Sequence, residues 1–348
     1  MSLFRSPAAR VAAAQADAVT KFWSWWQAKG AQQLAAAIDD HQPERMIDAM
    51  AKHLTPIHAG LVWEYGLDAA RHVLIVSADG DPALRPVASR WRRAAPAPDR
   101  TWSYSEHRPP AADPNATVIT LGTAQIDVTS AIVDADVSGT HVDVTMYHPG
   151  FASLPADQHM ATAFMLLDTV LGEAAVDSWL GTVAPATEPP AHPVPLVDLR
   201  TVVRQLEASF TDVEGERSWR LTRGTTESGD PMLASAQVPL RATSAPHLDT
   251  YLEVSVGFSE WTSDGLPGKG SLQELRDLQD ELNRRLGGSG RVVAHETRRG
   301  VRTLHLYVDG TTFAIKQLRA ALNGWNQGTV SVIERPDPEW DCVQHLRN

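Results

Sequence analysis

The stretch from Tyr251 to Glu334 constrains the fold more than any other part of the chain. "TYLEVSVGF" alternates apolar and polar residues, the period of a half-buried strand. "SLQELRDLQDELNRRLG" changes that period, with leucines at 272, 275, 278 and 282 along one helical face. Ser271 and Glu274 have the spacing of a capping box, and Gly287 suits the helix end. "RVVAHET" and "RTLHLYV" alternate again around the turn Arg299-Gly300. "TFAIKQLRAALNGW" reads as a helix and "TVSVIE" as a strand. The order β-α-β-β-α-β is that of the ferredoxin-like unit, an antiparallel sheet with two helices on one face. "RSWRLTRGTT" and "MLASAQVPL" are read as further strands ahead of it.

A looser version of the same pattern is expected in the first half. It runs through His72–Ala78, a helix over 82–94, Thr101–His107, Val142–Tyr147, a helix over 156–171 and a strand over Asp177–Val183, with extra strands between. Ahead of it, the alanine-rich segment Ala8–Ile38 reads as one helix, bent near Gly30. In "TKFWSWWQAKG", Phe22, Trp25 and Trp26 share a helical face and Trp23 borders it. Aromatic stripes of this kind pack against a partner surface, so core packing is expected and not a ligand platform. Between the halves, "APATEPPAHPVP" holds five prolines in twelve residues and excludes regular structure.

The chain is therefore expected to be α+β with two domains. Residues 1–184 form an N-terminal α+β domain with a helical N-terminus, 185–196 a Pro-rich linker, and 197–348 a ferredoxin-like domain.

Composition narrows the function classes. The net charge of −11 over 348 residues argues against broad binding to nucleic acid or an anionic membrane, since both need a positive field. No apolar run approaches the roughly 20 residues of a membrane span. The single cysteine, Cys342, excludes an internal disulfide. With no leader pattern, a cytoplasmic location is expected. Arginine outnumbers lysine 26 to 5, which points to a high-GC bacterial genome.

Motifs for chemistry are sparse. "DGLPGKGS" lacks the glycine spacing of a P-loop, and no HExxH or Cys-x-x-Cys is present. "GGSGR" has Arg291 where a nucleophile elbow needs glycine. His295 and His305 are more informative, because they lie on the two strands of one hairpin and are expected as cross-strand neighbours. Two arginine clusters, Arg90/Arg92/Arg93 and Arg284/Arg285 with Arg291, Arg298, Arg299 and Arg302, begin at helix C-termini, where cations complement the helix dipole.

The hairpin "RVVAHETRRGVRTLHLYVDG" and the closing signature "DPEW", Asp337 to Trp340, resemble the bacterial domain of unknown function 695 family. The likeness covers about 130 residues at the C-terminus. "LVWEYG", "LIVSADG" and "LLDTVLGE" resemble the companion region that precedes it. That family carries no assigned activity, so the resemblance implies no catalytic residues. Its topology is also similar to that of the small bacterial protein that inhibits ribonuclease E, which implies a protein-binding regulator by analogy of fold.

The expected function is a non-enzymatic protein-interaction or regulatory module. The binding residues proposed are His295, His305, Arg298 and Arg299; no catalytic residue, metal or cofactor is expected. One alternative is a small-molecule or metal-binding protein or hydrolase with a site between the domains, using Glu64, Asp79, His295 and His305. Another is RNA binding through the arginine clusters, against which the strands lack the aromatic signature of an RNA-recognition motif.

Overall fold

The structure is a computed structural model, and it describes residues 7–68, 71–122, 124–211, 217–225 and 228–347. It is a mixed α+β chain with several sheets. Its contacts divide it into two units, one comprising Ala14–Asp212 and the other containing Val213–Asn348.

The alanine-rich segment forms α1 (Pro7–Trp25), which belongs to the first unit from Ala14 onward, then a π-helical turn over Trp26–Gly30 and α2 (Ala31–Asp39). A Cβ at residue 30 would lie 3.0 Å from the Trp25 ring, so glycine is what lets the indole lie against the helix there. After α3 (Ile47–Leu54) come β1 (Val62–Asp68), β2 (Arg71–Ser77), α4 (Arg85–Arg93) and β3 (Trp102–Ser105). β1 pairs antiparallel with β2, and α4 is the crossover that returns β3 parallel to β2. Phe22, Trp23, Trp25 and Trp26 are all buried, with Trp91, Trp102 and Leu74 in the same core. Trp23 Nε1 donates to the Trp91 carbonyl at 3.0 Å and Trp26 Nε1 to the Tyr104 hydroxyl at 3.1 Å. The tryptophan run is packing.

The same unit continues with β4 (Val118–Leu121), β5 (Ala124–Asp127), β6 (Ile132–Ser138), β7 (His141–Tyr147), α5 (His159–Leu171), α6 (Glu173–Trp179), β8 (Leu180–Ala186), β9 (Val194–Pro195) and α7 (Leu199–Ser209). β8-β7-β6-β9 form a four-stranded sheet in which β7 and β8 are parallel. The strands expected to make one ferredoxin-like sheet are thus divided between two sheets. Each contains a parallel pair with its own helical crossover, and each has a separate apolar core. Asp177–Trp179 complete α6, so the strand begins only at Leu180.

The Pro-rich stretch also lies inside this unit. Val194–Pro195 pair with β6, and Leu196, Leu199, Val203 and Leu206 enter the core of the four-stranded sheet. Burial of that leucine–valine face carries α7 into the first unit, and the division falls after Asp212. No single helix among the described residues is long and apolar enough to cross a membrane.

The second unit contains β10 (Trp219–Thr225), β11 (Pro231–Gln237), β12 (Thr250–Gly257), α8 (Lys269–Leu286), β13 (Gly290–Arg298), β14 (Val301–Val308), α9 (Ala314–Leu322) and β15 (Val330–Pro336). From β12 onward the element order is the expected β-α-β-β-α-β. The sheet has six strands in the order β10-β11-β13-β14-β12-β15, with every neighbour antiparallel. Arg299 and Gly300 have φ of 48° and 75°, the left-handed pair that a type I′ hairpin needs.

Two cores cover the two faces of this sheet. On one, Leu275, Leu278 and Leu282 of α8 and Leu318 of α9 bury Leu252, Val254, Leu304 and Leu306. On the other, Tyr251, Tyr307, Val293 and Ala294 meet Leu248, Trp340 and Val343. The start of α8 differs from the expected capping box. The helix begins at Lys269, and the Glu260 carboxylate accepts from the backbone N–H of Gly270 and Ser271 at 2.7 and 3.3 Å. The Ser271 hydroxyl in turn accepts from the Glu260 N–H at 3.0 Å. The reciprocal pairing exists, but its acid comes from the preceding loop.

Candidate functional site

The register of β13 against β14 decides where the polar side chains go. Val292 stands opposite Leu306, and Ala294 opposite His305, so Val293 is one extra residue in the ladder. That bulge reverses the alternation of everything after it. His295 stands opposite Leu304, on the helix-covered face, whereas Glu296 shares the other face with His305 and Tyr307. The two histidines expected as cross-strand neighbours are therefore separated by the sheet.

On the helix-covered face the hairpin of β10 and β11 extends the sheet beyond α8. It leaves an open recess of about 670 Å³ lined by Trp219, Leu221, Arg223, Leu233, Ser235, Leu272, Arg276, Gln279, His295 and Arg302. Arg302 is only 5% exposed, and its Nε donates to Thr297 Oγ1 at 2.9 Å. Burial, and then the charge of Arg276, lower the Arg302 guanidinium to about 10. Among the described residues, no carboxylate pairs with Arg223, Arg276 or Arg302. The His295 imidazole is pushed down to about 3, first by burial and then by the charges of Arg302 and His305. It is neutral at physiological pH. Its Nδ1 is buried and has no hydrogen-bond partner among the described residues, and its ring lies 6.2 Å from that of Trp219 at 28°.

On the opposite face, a chain of polar contacts runs through the core. The Tyr251 hydroxyl and His305 Nδ1 share a hydrogen bond of 2.6 Å. His305 Nε2 is 3.1 Å from Glu296 Oε2, and His345 Nε2 lies 3.4 Å from the same oxygen. Hydrogen bonding from His305 holds the Glu296 carboxyl below its ordinary value against the opposing effect of burial. A recess of about 130 Å³ adjoins Glu296 and His345, walled by Arg220, Thr222, Ala234, Leu346 and Arg347.

The "DPEW" signature explains how His345 arrives there. Tyr307 donates to Asp337 Oδ2 at 2.5 Å, and the Asp337 carboxylate also accepts the N–H of Asp341 and Cys342, each at 2.9 Å. Trp340 stacks on Tyr307 with centroids 4.2 Å apart and donates its Nε1 to the Leu248 carbonyl at 2.8 Å. These bonds dock the terminal 3-10 segment Asp341–Leu346 on the sheet. Burial and the Asp337 carboxylate raise the Cys342 thiol to about 11, so it is protonated at neutral pH.

The other candidates fall elsewhere. Arg298 and Arg299 are exposed at the hairpin turn, where Arg299 pairs with Asp230 at 2.7 Å. Glu64 and Asp79 lie in the first unit, where both accept from Arg108, at 2.7 and 3.1 Å. Sequence reasoning missed Glu296, His345, Tyr251 and Trp219 as site residues. The alternation in "RTLHLYV" already places Thr303, His305 and Tyr307 on one face. It carries no sign of the bulge that adds Glu296 to them.

No curated protein and no solved structure matches this chain. Residues 218–346, which hold the arginine-lined recess, nearly all of the second recess and the docking signature, match the model of the Family of unknown function (DUF695).

Proposed function

We propose that the chain is a non-enzymatic regulatory module whose C-terminal unit recognises a small organic anion in the recess beside Arg302. The observation that carries this reading is Arg302 itself, a buried guanidinium whose partner is a threonine hydroxyl and which meets no carboxylate among the described residues. A buried charge without a counter-charge costs several kcal/mol, and a bound carboxylate or phosphate would offset that cost. Arg223 and Arg276 reinforce the positive field. Trp219, Leu221, Leu233 and Leu272 offer apolar walls, so the ligand class is an anion with a planar or apolar body. The strand order β13-β14-β12-β15 supports the ferredoxin-like reading of the core sheet, with β10 and β11 as the addition that builds the recess.

The test is isothermal titration of the full chain with benzoate, AMP and inorganic phosphate, repeated on Arg302→Met and Arg276→Ala. Saturable binding of benzoate or AMP, weakened at least tenfold in Arg302→Met, is the expected result. Absence of binding for all three probes, or binding indifferent to Arg302→Met, would overturn the reading.

A further inference from the structure

We propose that Glu296, His305 and His345 form a three-ligand site for a divalent transition-metal ion such as zinc, on the sheet face opposite the arginine recess. The three side chains come from β13, β14 and the terminal 3-10 segment, and one donor atom from each lies within 4.8 Å of the other two. Zinc holds nitrogen and carboxylate oxygen at about 2.0–2.2 Å, which puts tetrahedral ligand atoms about 3.4 Å apart. Glu296 Oε2 meets that spacing with both imidazoles, at 3.1 Å to His305 Nε2 and 3.4 Å to His345 Nε2. The remaining adjustment falls on His345, whose side chain is 53% exposed.

The surroundings are those of a supported ligand. His305 is almost fully buried, and its Nδ1 is held by the Tyr251 hydroxyl at 2.6 Å. That partner fixes the ring and leaves Nε2 as the coordinating atom, the arrangement that usually orients a metal-bound histidine. The tyrosine hydroxyl both donates and accepts, so it serves His305 in either tautomer. Two imidazoles and one carboxylate suit zinc and its neighbours better than calcium or magnesium, which prefer all-oxygen shells. Three protein ligands leave one position open, here toward the recess of about 130 Å³. Arg220 and Arg347 line that recess, so the fourth ligand would be an anion or hydroxide.

The competing account is a hydrogen-bonded clasp in which Glu296 accepts from both imidazoles without an ion. Titration of untagged, chelator-treated full-length protein with ZnCl2, alongside the visible absorption of the CoCl2-loaded protein, distinguishes the two. The site predicts one ion per chain and a four-coordinate cobalt spectrum. Glu296→Gln and His345→Ala should each weaken zinc binding at least tenfold. Tyr251→Phe should weaken it within the tenfold to hundredfold range of such supporting partners. Arg302→Met, on the other face, should bind zinc as the unaltered chain does. His345→Ala removes a half-exposed side chain, so its urea midpoint in chelator checks that it folds. No stoichiometric zinc binding, or binding undiminished in both Glu296→Gln and a folded His345→Ala, would overturn the proposal.

Discussion

His295 and His305 lie on adjacent strands yet on opposite faces of one sheet, because Val293 is an extra residue between the pairs Val292–Leu306 and Ala294–His305. One inserted residue thus places one imidazole in an arginine-lined recess and the other beside a glutamate. Two histidines with the same local sequence pattern acquire different chemistry.

The first prediction concerns the pH dependence that His295 imposes. Its folded value is about 3, against 6.5 for an ordinary imidazole. Below pH 6.5 the unfolded chain takes up a proton that the folded chain refuses. The stabilising contribution is therefore complete above pH 6.5 and is lost progressively as pH falls toward 3. Between pH 7 and pH 5 the loss is about 2 kcal/mol. Urea unfolding at those two pH values should show it in the wild type, with most of that difference absent in His295→Gln. Equal pH dependence in the two proteins would contradict the assignment.

A second prediction follows from the docking of the terminal segment. Trp340 is 1% exposed, stacked on Tyr307, and anchored at its indole N–H. Trp340→Ala should cost about 3–5 kcal/mol, the usual range for emptying a large aromatic from a core. Since the same contact fixes the segment that carries His345, the variant should also be cut by protease near residues 341–346 faster than the wild type. A loss under 1 kcal/mol would mean that the segment is only loosely held.

How far the sequence reveals this architecture depends on how local each determinant is. The elements from Tyr251 to Glu334 are legible because Leu275, Leu278 and Leu282 repeat at helical spacing and the strands alternate. "DPEW" is legible as a signature, but its work is done through Tyr307, thirty residues away. The arginine recess is not legible, since it exists only where β10 and β11 extend the sheet past α8. In the first half, the parallel pairing of β2 with β3 and β7 with β8 is fixed by helical crossovers, which leave no mark in strand periodicity. Leu199, Val203 and Leu206 read correctly as a helix face, yet nothing in that face says which core receives it.

A third prediction separates the observed helix cap from the expected one. Glu260, ten residues ahead of Gly270, accepts the first N–H groups of α8, and the expected partner Glu274 does not. Glu260→Ala should therefore destabilise by about 1 kcal/mol, as removal of a helix cap does. Glu274→Ala, on the exposed side of α8, should remain within about 0.5 kcal/mol of wild type. Reversal of that order in urea unfolding would restore the local capping box.

The last prediction uses Asp168, on α5 in the first unit, where it lines a recess of about 450 Å³ with Arg108 and Met165. Burial, then the charge of Glu173, raises its carboxyl to about 6 from 3.8, and Arg108 offsets only part of this. The sign is opposite to that of a salt-bridged acid. Below pH 3.8 the carboxyl is protonated in both states and folding is unaffected. As pH rises from 3.8 to 6, the unfolded chain ionises freely while the folded one resists, so a penalty accumulates and is complete above pH 6. Its size is about 2–3 kcal/mol. Asp168→Asn keeps the shape and removes the ionisation. It should raise the unfolding free energy at pH 7.5 by about 2 kcal/mol and leave it nearly unchanged at pH 4. A variant less stable than the wild type at pH 7.5 would show that the Asp168 carboxylate is held by its surroundings instead of penalised by them.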